Sequence, residues 1–114
     1  MLKHTPFRSP QYLAFVRTLP CSVCGIEGVD AHHVIGRHWG LSGMGMKAPD
    51  SLCMPLCREH HQAVHQRPEL QCLQASWLLS TLSAGMKRFP DGELHEALVE
   101  AHNWCWTFQL GERA

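Results

Sequence analysis

Ten consecutive residues, Leu56-Cys57-Arg58-Glu59-His60-His61-Gln62-Ala63-Val64-His65, carry one thiol and three imidazoles at spacings suited to metal ligation. If they form one short helix, each residue steps on by roughly 100° and about 1.5 Å. Cys57 and His60 then point one way, while His61 and His65 point about 90° round and about 7 Å further along. One helix can serve two metal ions.

The first ion needs a second half-site, and Cys21-Ser22-Val23-Cys24-Gly25 supplies it. A C-x-x-C turn closed by glycine has the shape of a zinc knuckle, in which two thiolates converge and backbone amides point at sulfur. Alone, such a turn also suits a redox pair or two core cysteines. With Cys57-x-x-His60 it completes a Cys3His set of Cys21, Cys24, Cys57 and His60, the expected ligands of a structural zinc; Cys53 is the alternative to Cys57. For the second ion, His61 and His65 need a partner, and the adjacent His32 and His33 are the candidates.

The elements that must position these residues follow from the pattern around them. Ser9-Pro10 ahead of Gln11 to Arg17 is an N-cap with proline at the first helical position, so a short helix should run there and end before Pro20. Val29 to Ile35 has the β-branched character of a strand, interrupted by Asp30 and the two histidines. Gly36 to Asp50 is a long connection with four glycines and little periodicity. Its backbone could approach a phosphate closely, with Arg37 and Lys47 supplying charge, or it is a plain surface loop. Leu52 to Leu56 is the returning strand. A hairpin followed by a helix, with zinc ligands in the turn before it and on the helix, is a treble-clef arrangement.

The chain of 114 residues has a single-domain length, a modest core that would gain from a metal staple, and zero net charge. Its front half is basic and its tail acidic. No apolar run is long enough to span a bilayer and the N-terminus has no apolar leader segment, so a soluble cytoplasmic protein without membrane association is expected. In that compartment six cysteines read as metal ligands and buried thiols rather than disulfides.

Three separated motifs carry a family resemblance: Ala31-His32-His33-Val34-Ile35, Gly43-Met44-Gly45-Met46-Lys47-Ala48-Pro49-Asp50, and Pro55-Leu56-Cys57-Arg58-Glu59-His60-His61 with His65. Together they resemble the HNH endonucleases of the ββα-metal superfamily, most of all the small phage and prophage nucleases related to the Ref recombination nuclease. The resemblance covers about residues 15–67. It implies a treble-clef ββα-metal core there; with the N-terminal helix read above and C-terminal packing helices, the expected fold is α+β in one domain over 1–114. It also implies a metal-dependent DNA endonuclease in a phage recombination setting, with a RecA-type recombinase filament as a partner beside DNA. By the same resemblance His33 is the general base and His32, His61 and His65 hold the catalytic ion. Adjacent strand residues face opposite ways, so the roles within the His32/His33 pair stay open to exchange.

Phosphodiester hydrolysis needs an activated water, positive charge against the developing charge on phosphorus and leaving oxygen, and a held strand. One histidine and one metal ion meet the first two needs. Three imidazoles suit zinc, nickel, cobalt or manganese better than bare magnesium, so the identity of that ion stays open. Where HNH proteins usually carry an asparagine that orients the base histidine, this chain has Asp50-Ser51-Leu52, and Asp50 or Ser51 is expected to accept the imidazole proton. The rival reading is a noncatalytic zinc treble clef that binds nucleic acid or protein, which has no use for four further histidines.

Beyond Pro68, over about 69–110, two helices are expected. Leu70, Leu73, Trp77, Leu78 and Leu82 mark one face of the first, with Gly85 as its stop signal. Asp91 should cap the second, whose Leu94, Ala97, Leu98, Ala101 and Cys105 form an apolar face. Both read as covers over the core, Trp104 and Trp106 as packing or interface anchors, and Cys53, Cys72 and Cys105 as buried thiols.

Overall fold

The Ser9 side chain accepts a hydrogen bond of 3.1 Å from the Tyr12 amide, and Pro10 takes the first turn of α1 (Pro10–Val16). This start is the one expected from the local sequence. The computed structural model describes residues 7–36 and 48–107. Over these the chain is α+β: an antiparallel pair of strands, β1 (Val29–His33) and β2 (Cys53–Cys57), and four α-helices. The other helices are α2 (Arg58–Gln66), α3 (Gln74–Arg88) and α4 (Gly92–Cys105), with 3-10 turns at Asp50–Leu52 and Pro68–Leu73.

The strand register pairs Val29 with Cys57, His32 with Met54 and His33 with Cys53. All of β2 is buried, because α1, α2 and α3 close over it. Tyr12, Met54, Leu56, Leu78, Leu82 and Leu98 are fully buried in one core. Each such side chain contributes about 1.5–3 kcal/mol relative to exposure. No helix among the described residues is long and apolar enough to cross a membrane.

Four sequence expectations need correction. The helix expected from Glu69 starts at Gln74, since Pro68 opens a 3-10 turn that leaves Leu73 47% exposed and Cys72 exposed rather than buried. Gly85 does not stop that helix, which runs on to Arg88. Asp91 stands at the N-cap of α4 as expected, although its side chain makes no capping hydrogen bond, while the exposed Cys72 is a further departure. Cys57 ends β2 and forms the N-cap of α2 instead of lying within the helix. The loop carrying Arg37 and Lys47, the expected phosphate contacts, lies outside the described residues.

Gly85 is inside a helix because two buried side chains press on it. A Cβ there would stand 2.8 Å from Tyr12 Cε1 and 3.0 Å from Leu98 Cδ1, and both neighbours are fully buried. Alanine gains about 1 kcal/mol in helix propensity, but overpacking of this kind costs about 1–3 kcal/mol. Gly85→Ala should therefore lower the unfolding free energy in a denaturant titration; a more stable variant would show that α1 and α4 can retreat.

Candidate metal centres

The first cluster forms where the turn after α1 meets the start of α2. Gly25 and Gly28 take positive φ (+79° and +84°), which turns the chain back so that Cys21 N donates to Ile26 O and Ser22 N to Pro55 O. That second bond ties the turn to β2. Cys21, Cys24, Cys57 and His60 thereby converge, with their ligand atoms all within 4.8 Å of one another. Cys24 Sγ lies 3.9 Å from Cys57 Sγ, His60 Nδ1 lies 3.2 Å from Cys57 Sγ and 3.8 Å from Cys21 Sγ. Tetrahedral zinc with Zn–S near 2.3 Å and Zn–N near 2.0–2.1 Å puts neighbouring donors about 3.5–3.8 Å apart. The four residues fit such an ion. Cys53, the sequence alternative to Cys57, lies elsewhere, grouped with His33 and Asp50.

The Val23 amide donates to Cys21 Sγ at 3.4 Å. Burial alone would push the Cys21 thiol up, but hydrogen bonds from the neighbouring backbone and from Cys24 outweigh it and bring the thiol down to about 6. A thiolate is the form that ligates metal.

The second cluster, His32, His61 and His65, joins β1 to α2. Their ring centroids lie 4.9 Å (His32 and His61), 5.4 Å (His32 and His65) and 5.2 Å (His61 and His65) apart. His61 and His65 share a face of α2, being four residues apart. They share an open, solvent-facing side of α2 with Arg58, Gln62 and Gln66. Burial holds His32 down to about 4 and also lowers His65, with the neighbouring imidazoles adding to both effects. His32 and His65 are thereby held in the neutral form near pH 7, each with a lone pair for a cation.

Two members of the cluster are anchored through one ring nitrogen each. His61 Nδ1–H donates to Asp30 Oδ2 at 2.8 Å, and Arg58 Nη2 reaches Asp30 Oδ1 at 3.3 Å. The hydrogen bond from His61, followed by the Arg58 charge, holds the Asp30 carboxyl below the ordinary carboxylate range. His32 Nε2 lies 2.9 Å from Gln74 Oε1. Neither Asp30 nor Gln74 stood out in the sequence as a site residue.

His33 is held apart from the trio. Its Nε2–H donates to Asp50 Oδ1 at 2.8 Å, while Asp50 Oδ2 accepts from the Ser9 amide at 2.8 Å and Oδ1 also receives Arg8 Nη1 at 3.2 Å. Burial of Asp50 works against ionisation, but the His33, Ser9 and Arg8 donors prevail and keep its carboxyl below the usual range. Of the two expected acceptors, Asp50 rather than Ser51 makes the bond. The adjacent histidines have different partners, and His32 is the one grouped with His61 and His65.

A family described as "Protein of unknown function (DUF968)" matches residues 2–71, more than half of the chain. The chain belongs to the DUF968 family. The DUF968 match takes in every ligand of both clusters, together with Asp30 and Asp50, and stops before Gln74. The "Uncharacterized protein YdfU" of Escherichia coli (strain K12) is 47% identical over 55 residues, 48% of this chain. That alignment spans 15% of YdfU. No solved structure matches the chain significantly.

The low value of His32 has a consequence for this DUF968 chain. An unfolded histidine titrates near 6.5, and His32 in the folded chain near 4. The stability this group contributes is complete above pH 6.5 and is lost as pH falls toward 4, because only the unfolded chain takes up the proton in between. Wild type given a single equivalent of zinc, so that the thiolate cluster alone is filled, should lose stability from pH 7 to pH 5 more steeply than His32→Asn loaded in the same way, which keeps an N–H donor and has nothing to titrate. Parallel melting curves against pH would refute this.

Proposed function

We propose that the chain is a metal-dependent endonuclease that hydrolyses DNA phosphodiester bonds, with an HNH-type treble-clef ββα-metal core. The observation that carries this reading is the division of donors around α2. Cys57 and His60 serve one cluster, His61 and His65 the other, and a further imidazole, His33, is held by a carboxylate. A binding module of the same fold needs the first cluster alone.

In this reading Cys21, Cys24, Cys57 and His60 hold a structural zinc. His32, His61 and His65 hold a second divalent cation, zinc, manganese, nickel, cobalt or magnesium, which when bound supplies positive charge against the charge developing on the phosphate. The protein's own groups do the rest. With Nε2–H given to Asp50, His33 keeps the lone pair on Nδ1, the atom that takes a proton from water. Asp50, anchored by Ser9 and Arg8, fixes the orientation of that ring and favours the imidazolium once formed. Asp30 fixes the orientation of the neutral His61 ring, leaving Nε2 for the cation. Arg58, Gln62 and Gln66 beside His61 and His65 make that side of α2 a polar surface suited to a phosphodiester backbone.

The phage or prophage recombination setting, the cytoplasmic location and a RecA-type filament as partner follow from the family resemblance alone. Purified protein incubated with supercoiled and single-stranded DNA, each divalent metal in turn, and with or without a recombinase filament, should nick or cut in a metal-dependent way. No cleavage under any combination, with both clusters loaded, would leave the noncatalytic zinc module as the better reading.

A further inference from the structure

We infer that Gln74, on a helix beyond the stretch that carries the metal ligands, is a positioning residue that selects which nitrogen of His32 faces the second metal site. The inference rests on reading His32, His61 and His65 as a cation site.

Gln74 is completely buried, yet every polar atom of its side chain is engaged. Its Nε2 donates to Ile35 O at 2.7 Å and to Gln71 O at 2.9 Å, while its Oε1 accepts from the Ile35 amide at 3.1 Å. Two carbonyls can only accept and one amide can only donate, so these backbone groups allow a single orientation of the side-chain amide. The carbonyl oxygen must then face His32 Nε2, 2.9 Å away. Two acceptors cannot share a hydrogen bond, so Nε2 must carry the proton.

The lone pair of the neutral ring is consequently on Nδ1. Because His61 spends Nδ1–H on Asp30, the two rings present opposite nitrogens, Nδ1 from His32 and Nε2 from His61. An outer partner that fixes ring and tautomer in this way typically contributes 10–100-fold to metal affinity. Gln74 also bonds both backbone groups of Ile35, at the exit of β1. It fastens the strand end and the ligand together.

Two variants separate positioning from support. Gln74→Met keeps the length and apolar fit but removes the acceptor. Gln74→Glu keeps an acceptor toward His32 and Ile35 N while turning an oxygen toward two carbonyls, so both should be less stable than wild type. Cobalt(II) titration should show one equivalent with sulfur-to-cobalt charge transfer, unchanged in all three proteins. The second equivalent should bind about 10–100-fold more weakly in Gln74→Met and within a few-fold of wild type in Gln74→Glu. Second-equivalent binding by Gln74→Met equal to wild type would overturn the assignment, as would equal weakening in both variants.

A separate readout needs no variant. Imidazole nitrogen NMR of wild type loaded only with the thiolate-bound ion should show His32 protonated on Nε2; protonation on Nδ1 overturns the proposal. A wild type that takes up one equivalent alone overturns it together with the second site. A protein whose second equivalent weakens in Gln74→Met, but which cuts no DNA, upholds the role of Gln74 and removes the nuclease reading.

Discussion

The double variant Cys21→Ser, Cys24→Ser is expected to lose one equivalent of tightly held zinc and to be unfolded at room temperature. The size of the effect follows from comparing two free energies. A structural zinc of this ligand type contributes about 10–16 kcal/mol in small zinc-finger peptides, and a whole domain of this length is stable by about 5–15 kcal/mol. A metal link at this cluster would also close the chain between the turn after α1 and the N-cap of α2, joining residues 33 positions apart at Cys24 and Cys57. Elemental analysis of the wild type and circular dichroism of the variant check this. Wild type free of zinc, or a variant that melts like wild type, would contradict it.

The second large effect is on rate. If His33 is the base, His33→Ala should lower DNA cleavage by about 10²–10⁴-fold, the usual contribution of a positioned general base. Uptake of the second metal should be unchanged, because His33 is bonded to Asp50 and is not one of the trio. His61→Ala and His65→Ala should behave differently. Each removes a donor from the second cluster, so metal affinity should fall with the rate and excess metal should restore part of it. None of the three changes should release the ion held by Cys21, since the clusters share a helix but no ligand. Measuring rate and metal stoichiometry on the same samples gives the answer. If His32→Ala spares metal uptake and abolishes cutting while His33→Ala cuts normally, the roles within the pair are reversed.

The parts of the molecule that were legible in the sequence are those whose signals are local. Ser9-Pro10 starts α1 because a cap and a proline act within one turn. The C-x-x-C turn and the Cys57, His60, His61, His65 spacing placed the two clusters because ligand geometry is set over a few residues. Asp50 was one of two acceptors expected for the base histidine, but Asp30 and Gln74 were not legible, since their partners lie far along the chain. Asp30 and His32 share a strand face at spacing two, which is a signal that a carboxylate stands beside the ligands. Gln74 shares a helix face with Leu78 and Leu82 at spacings of four and eight, and a polar residue on a buried face needs hydrogen-bond partners. Gly85 was misread because a glycine that ends a helix and one that admits a neighbouring ring look alike in sequence. Only the tertiary approach of Tyr12 and Leu98 separates them.

The strand exit at Ile35 is clamped by a side chain from α3, and the same helix contributes Leu78 and Leu82 to the core that also holds Tyr12 and Val64. The smallest portable unit is therefore longer than its ligand list. A fragment trimmed after Leu73 would retain all seven cluster residues and lose both the Gln74 bond to His32 and the core residues of α3 and α4. Such a fragment should express as a metal-binding but poorly ordered peptide, whereas grafts into longer chains should carry the boundary past Cys105.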